Sequence, residues 1–354
     1  MKDTVSGDIA AAAGSRNPFI DAVRAIAVIT VVLGHWLVTS LVDTPTGMVI
    51  DSPLKHLPEL TPVSWVLQTL GLFFFVGGYA AARSQTSFLT RLKQLALPTL
   101  LMLGCWAAVL FGLTVRGVDQ GTAFNIGYLV TTPLWFLGVY LILLALKPLV
   151  RKLDEYAWGV LVPIALVLVL PHAVWWAAWQ LGHALARRRI PGPPLLVIGV
   201  LGYALLTSFG GYPTSAVGIP GATVSNLNPP NYATLALALA QIGLVLTIAP
   251  LLTRLGTTKP VRWLNKRALG IFLAHQSALV TVTLALSAWG PLPGLQQPPD
   301  HPDWVWQRLL WLPVCAAVTW GWLRALQGRS ARRAAPPPEE AVAAPASAVR
   351  TPAP

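Results

Sequence analysis

Apolar stretches of about twenty residues alternate with short polar segments from residue 17 to residue 326. The first covers 17–42, and others cover 62–82, 95–115, 126–146, 194–209, 233–252, 268–289 and 304–323. Runs of this length predict transmembrane helices, which need about 20 apolar residues. Asn17-Pro18 opens the first one, since Asn is a good N-cap and Pro suits the first helical position. The stretch 156–186 breaks the pattern. It holds about 30 apolar residues, is interrupted by Pro163 and Pro171, and is closed by Arg187-Arg188-Arg189. Two spans need about 40 residues plus a turn, and one needs about 20.

Charge settles the reading of that stretch. The basic residues cluster at Lys2 and Arg16, at Arg83–Lys93, at Lys147–Lys152, at Arg187–Arg189, at Arg254–Arg267 and at Arg324–Arg333, with neutral or acidic loops between. Clusters of this kind mark cytoplasmic loops. The chain must therefore enter and return between Lys152 and Arg187. Two half-helices turning at Pro171-His172, as a re-entrant or thinned hairpin, meet that condition. Such backbone is tolerated where protein or a water-filled cavity covers it. One tilted span, nine crossings and an outside carboxyl terminus are the rival, and Arg324, Arg329, Arg332 and Arg333 oppose it. The prediction is an all-α polytopic bundle in the plasma membrane, with about ten membrane segments, a shortened fifth/sixth hairpin and both termini cytoplasmic. Residues 1–16 and 327–354 are predicted to be disordered cytoplasmic tails around a membrane domain at 17–326. The first span is too long, and too polar at its start, for a cleaved signal, and is expected to be retained.

Composition agrees. The chain of 354 residues is 55% hydrophobic and 11% charged, against about 25% charged in soluble domains. The net charge of +12 reports topology and does not imply a nucleic-acid partner. The two cysteines, Cys105 and Cys315, sit inside apolar segments with no disulfide or metal-ligand spacing.

The chemistry concentrates in the first span, NPFIDAVRAIAVITVVLGHWLVTSLV, which carries Asp21, Arg24 and His35. Each ionisable group at the bilayer centre costs about 2.5–3.5 kcal/mol on insertion scales, so a function is the default reading. Arg24 and His35 are eleven positions apart. At 100° per residue they fall about 20° from a whole number of turns, on one face, and about 16 Å apart along the axis. They cannot bond to each other within a straight helix, but they can hold two ends of one extended ligand. Arg24 lies near the cytoplasmic mouth, where a phosphate-bearing head would arrive. His35 lies deeper, with an imidazole suited to general-base work. Asp21, three positions before Arg24, could hold the guanidinium. The structural alternatives are a core histidine bonded to a neighbouring helix and a snorkelling arginine.

The segment FIDAVRAIAVITVVLGHW resembles the first membrane helix of the acyltransferase family 3 proteins, which carry an Arg, ten residues and a His. The resemblance continues through FFFVGGYAAA, PLWFLGVYLIL and ALGIFLAHQSA. It implies an integral membrane O-acyltransferase that takes an acyl group, commonly acetyl from acetyl-CoA, from the cytoplasmic side. The acceptor would be a hydroxyl of an envelope glycan, a lipid or a small molecule. His35 becomes the candidate general base or acyl relay and Arg24 the candidate donor contact. The family's two arginines at the start of the third helix are partly kept as Arg91 and Lys93, two apart instead of three. These are candidate phosphate contacts, with ordinary cytoplasmic charge as the alternative. Trp135, Tyr140 and His275 are candidate substrate contacts, with packing as the alternative. No metal is expected. The partners implied are acyl-CoA, the hydroxyl acceptor, the bilayer and, for a distant polymer, a separate extracytoplasmic transferase.

The short 156–186 stretch departs from the family pattern, whose fifth and sixth helices are full length. Two other classes stay open at this level. One is a transporter or flippase with an intramembrane histidine, against which no clear inverted repeat is found. The other is an inactive membrane scaffold.

Overall fold

The computed structural model describes residues 16–334, with side chains through residue 326. Most of the expected amino-terminal tail and residues 335–354 of the expected carboxyl-terminal tail lie outside the described residues.

The chain opens with α1 (Pro18–Val38), whose first turn is capped by Asn17 Oδ1 accepting from the Phe19 and Ile20 amides. A small antiparallel hairpin follows, β1 (Ser40–Thr44) and β2 (Gly47–Asp51), paired from Ser40↔Asp51 to Thr44↔Gly47. Next come α2 (Pro53–His56), α3 (Val63–Leu67), α4 (Leu70–Arg83), α5 (Phe88–Val115), α6 (Gln120–Thr131), α7 (Trp135–Ala145) and α8 (Lys147–Leu153). Then come α9 (Leu161–Leu166), α10 (Ala173–Leu185), α11 (Gly192–Phe209), α12 (Tyr232–Thr247), α13 (Ala249–Gly256), α14 (Lys259–Leu286) and α15 (Asp303–Ala334).

Seven helical segments are long and apolar enough to cross a membrane, or eight if α12 and α13, bent by 75°, are one span. This is a multi-pass membrane protein. The polytopic bundle is present with seven or eight full-length spans, and the remaining segments of the expected ten would have to come from the short stretch 156–186. There α9 has 6 residues and α10 has 13, and a 13-residue helix reaches only about 20 Å. The break does fall at Pro171-His172, with His172 at the N-cap of α10. All 13 residues of α10 are buried, so protein covers the hairpin's second half.

Three further differences have simple causes. The hairpin β1–β2 qualifies the all-α expectation: Gly47, at φ 114°, makes the turn that β-branched Val42 and Val49 flank. The second span breaks at Gln68-Thr69, and the two pieces, α3 and α4, lie against α1. The helices also run beyond their apolar cores into the basic segments. Capped by Ser87, α5 starts seven residues before the apolar run begins, α14 starts at Lys259, and α15 continues to Ala334, past the residue where the tail was expected.

The core forms where α4, α10 and α12 meet. A Cβ on Gly78 would lie 2.0 Å from the Trp179 carbonyl oxygen, and one on Gly182 would lie 1.8 Å from that of Phe75. Only glycine permits this approach of α4 and α10, as the small-residue run in FFFVGGYAAA suggests. Trp175 and Trp179 fill the same seam. A buried polar cluster ties α10 to the end of α8: Asp154 accepts from His183 Nδ1 and, at 2.5 Å, from Gln180 Nε2, which also donates to the Val150 carbonyl at 3.0 Å. A second core lies around α1, α14 and α15, with Val28, Val32, Trp36, Leu279, Cys315 and Leu323.

Candidate active site

The start of α1 sits at the end of the bundle where basic residues gather. Asn17 Nδ2 donates to the Tyr79 hydroxyl at 2.8 Å, tying α1 to α4. Asn265 Nδ2 donates to the Asp21 carbonyl at 2.8 Å, tying it to α14. The buried Asp21 carboxylate accepts from Arg16 Nε, so its ion pair is made with Arg16 and not with Arg24. Asp21 is about 21 Å along α1 from His35 and does not share its site.

Arg24 faces a cavity of about 430 Å³ whose wall also holds Asp21, Arg16, Arg83, Lys266, Tyr79 and Asn265. Among the described residues nothing forms a hydrogen bond or ion pair with its guanidinium. Asp21, Tyr140, Arg16 and Arg91 are within electrostatic reach of it. Arg91 donates to Ser84 Oγ at 3.2 Å, and Lys147 donates to the Ser84 carbonyl at 2.6 Å. The ammonium of Lys147 is held below its usual range by burial and by the nearby Arg151 and Arg91. Lys93 is exposed and lies outside this cavity. Arg83, Lys266 and Lys147 were not singled out from the sequence, where each reads as an ordinary loop charge.

At the other end of the same face, His35 is half-buried and its ring lies 5.0 Å from that of His275, tilted by 47°. His275 is fully buried. Its Nδ1 is 2.6 Å from the Phe272 carbonyl, so Nδ1 carries the proton and Nε2 keeps its lone pair. That Nε2 has no partner among the described residues. Trp36 Nε1 donates to the His275 carbonyl at 2.9 Å, so the residue after His35 sets its helix against α14. Gln276 Oε1 and Gln68 Nε2 are among the other buried polar atoms without partners in the described residues. Gln68 stands at the break in the second span, where the Leu67 carbonyl oxygen would lie 3.4 Å from a Cβ on Gly34.

A run of aromatic rings joins the two ends. Tyr140 meets Phe136 at 6.4 Å, Phe136 meets Phe272 at 5.3 Å, and Phe272 meets His275 at 5.9 Å. Tyr140 therefore stands between the Arg24 end and the histidine pair. Trp135, partly exposed, contacts Trp175 at 5.9 Å and His172 at 6.5 Å, and no ring contact joins it to His35 among the described residues.

The far end of α1 is held by Arg308, which the sequence reading passed over. It is 1% exposed, and its Nε, Nη1 and Nη2 donate to the carbonyls of Trp36 (2.6 Å), Gly294 (2.9 Å) and Thr39 (2.5 Å). A helix leaves its last carbonyls unsatisfied, and Arg308 supplies donors to two of them. A sequence signal existed, since Arg308 is a cation inside an apolar span.

Among the described residues no three His, Cys, Asp or Glu side chains converge as metal ligands. The site instead offers an uncommitted guanidinium at a cationic mouth, an aromatic wall, and a paired imidazole whose neighbour keeps a free lone pair. No curated protein and no solved structure matches the chain. The model of the family described as an acyltransferase domain matches residues 17–323, nearly the whole described chain, and the protein belongs to this acyltransferase family 3 of membrane enzymes.

Proposed function

We propose that the enzyme moves an acyl group, acetyl in the simplest case, from cytoplasmic acyl-CoA to a hydroxyl of an envelope glycan, lipid or small molecule. The observation that carries this reading is the pairing on α1: an uncommitted Arg24 at the basic mouth, and His35 about 16 Å deeper on the same face, backed by His275. The donor diphosphate would sit against Arg24, with Arg83 and Lys266 beside it and Arg91 behind. Its pantetheine arm would follow the aromatic wall past Tyr140, Phe136 and Phe272. The thioester would then stand at His35.

His35 takes the proton of the acceptor hydroxyl as the oxygen attacks the thioester carbon. The carbon–sulfur bond breaks, and the imidazolium returns the proton to the departing CoA thiolate. His275 Nε2, without a partner among the described residues and on a ring 5.0 Å from that of His35, would take a hydrogen bond from one His35 nitrogen and leave the other as base. This fixes the tautomer that general-base work needs. In the acyl-relay version, the same free nitrogen attacks the thioester carbon, the carbon–sulfur bond breaks and CoA leaves as the thiol with the proton of the other His35 nitrogen; the acceptor oxygen then takes the acyl group and its proton returns to the imidazole. Asp21 acts at a distance, by holding Arg16 at the rim of the donor cavity. Trp135, apart from the histidines, fits an acceptor contact better than a donor contact.

The test uses membranes containing wild type or His35→Ala supplied with acetyl-labelled CoA. Label should enter envelope material with wild type and fall about 10²–10⁴-fold with the variant. Equal labelling would remove His35 from the mechanism. The broken spans at Gln68-Thr69 and between α12 and α13 are the features that a transporter reading would use. Label appearing in the acceptor, and not merely translocated CoA, decides against it.

A further inference from the structure

A second cationic cavity adjoins the first. It measures about 540 Å³ and is lined by Arg16, Lys259, Arg262, Trp263, Lys266 and Arg267, with no acidic residue in its wall. Arg16 and Lys266 line both cavities. Lys259, Arg262 and Lys266 follow one another at spacings of three and four on the first turns of α14, which places them on one face. Like charges at that spacing oppose helix formation. Cytoplasmic topology alone asks only for cations somewhere in the loop, not for five around one hollow.

The floor is organised as well as charged. The Arg267 guanidinium lies 4.6 Å from the Trp263 ring and 5.6 Å from that of Trp320, and the two indoles stack at 5.7 Å. Arg267 Nε is buried without a hydrogen-bond partner. Trp263 itself is 44% exposed, so part of its indole is open to a planar ligand.

We propose that this cavity receives the 3′-phosphate and adenosine end of the CoA donor. The inference rests on the acyl-CoA reading above. CoA carries two separate anionic groups, a diphosphate and a phosphomonoester on the ribose. A diphosphate held beside Arg24 leaves the second anion to the adjoining cavity, across the ridge of Arg16 and Lys266. A phosphomonoester carries about −1.5 to −2 charges near neutral pH and three acceptor oxygens. Arg262 offers it a planar fork and Lys259 a point charge. Trp263 offers a stacking face to the purine, a contact that any base can use. The cavity thereby selects CoA over donors that end in a diphosphate or in a bare phosphopantetheine.

The experiment measures binding of labelled acetyl-CoA to the purified full chain in phosphatidylcholine nanodiscs, with CoA and 3′-dephospho-CoA as competitors. Wild type should bind CoA at least tenfold more tightly than dephospho-CoA. The double variant Lys259→Gln/Arg262→Gln should lose that ratio by weakening CoA alone, and Arg187→Gln, an exposed basic control, should keep it. Equal affinity for both competitors in wild type overturns the inference and leaves the acyl-CoA reading standing. So does a double variant that weakens both equally. Failure to bind acetyl-CoA at all overturns the acyl-CoA reading itself, and the inference with it. If phosphatidylglycerol discs abolish the preference for CoA, the cavity belongs to a lipid headgroup and the inference fails.

Discussion

Replacing Arg308 should loosen the end of α1 that carries His35. The guanidinium is 1% exposed and donates to three carbonyls from two segments, with the Trp304 ring 5.1 Å away. Hydrogen bonds from a charged donor contribute about 1.5–3 kcal/mol each, so the gross stabilisation is about 4.5–9 kcal/mol. Burying the cation costs several kcal/mol of hydration, which offsets part of that sum. Arg308→Met removes both terms and leaves the Trp36, Thr39 and Gly294 carbonyls without this donor. Three buried carbonyls left without a donor cost about 1–3 kcal/mol each, and the recovered hydration cost of the cation offsets part of that, so the net loss should be about 3–5 kcal/mol. At about 2 °C per kcal/mol for a chain of this size, the unfolding midpoint should fall by about 6–10 °C. Arg308→Lys keeps the charge but not the planar fork, and should fall between the two. The assay is thermal unfolding in detergent followed by tryptophan fluorescence, alongside acetyl transfer at a temperature well below both midpoints. Transfer should also drop, because Trp36 both accepts from Arg308 and donates to the His275 carbonyl. An Arg308→Met midpoint within about 1 °C of wild type would refute the reasoning.

Other outcomes follow from the same contacts. Arg24→Ala should weaken acetyl-CoA binding at least tenfold, and Arg24→Lys should restore only part of it, measured by equilibrium binding to purified protein. His275→Asn keeps a donor near the Phe272 carbonyl but removes Nε2; transfer should fall about 10²-fold with the unfolding midpoint nearly unchanged. Gly182→Ala places a methyl group against the Phe75 carbonyl oxygen and should cost at least about 1–3 kcal/mol, seen as loss of the monodisperse peak in size-exclusion chromatography. Asp119 caps α6, and its side-chain and backbone hydrogen bonds with Thr122 hold the carboxyl below the usual range. The stabilisation it adds is complete above the ordinary aspartate pKa of about 3.9 and is lost as pH falls through the lower folded value. In Asp119→Asn that part of the acid loss of stability should disappear from a melting series run below pH 4.

Apolar periodicity located eight of the spans because bilayer thickness imposes a length that a sequence window measures directly. Helix ends were less legible. Lys259, Arg262, Lys266 and Arg267 lie on the first turns of α14, and Arg91 and Lys93 on those of α5, since a hydropathy window stops where the lipid-facing surface stops and not where the helix does. The pair Arg24 and His35 was legible because one helix carries both, and a fixed rise per residue turns spacing into distance. The ring contacts Tyr140–Phe136–Phe272–His275 were not, because they join α7 to α14 across more than a hundred residues. Arg308 was legible only as an oddity; its partners, the carbonyls of Trp36, Thr39 and Gly294, leave no trace in side-chain type. Asp21 shows the limit of local spacing. The i,i+3 rule offered Arg24, but Arg16 reached the carboxylate first from outside the helix.

These contacts together make α1 a ruler. At its start, Asn17 bonds Tyr79 and Asn265 bonds the Asp21 carbonyl. In its middle, Thr30 Oγ1 lies 2.6 Å from Thr69 Oγ1, and Gly34 lets the break in the second span come close. At its end, Arg308 and Trp36 bind it to α14, α15 and the loop between them. A helix pinned at three heights cannot slide or rotate to suit its ligand. The distance of about 16 Å from Arg24 to His35 is therefore a property of the protein, and under the proposed reading the donor supplies the matching length. Rigid placement of this kind is how binding energy at a remote anionic head is converted into position at the reacting carbonyl. A donor shortened by part of its arm should then still occupy the Arg24 cavity but lose transfer far more than binding.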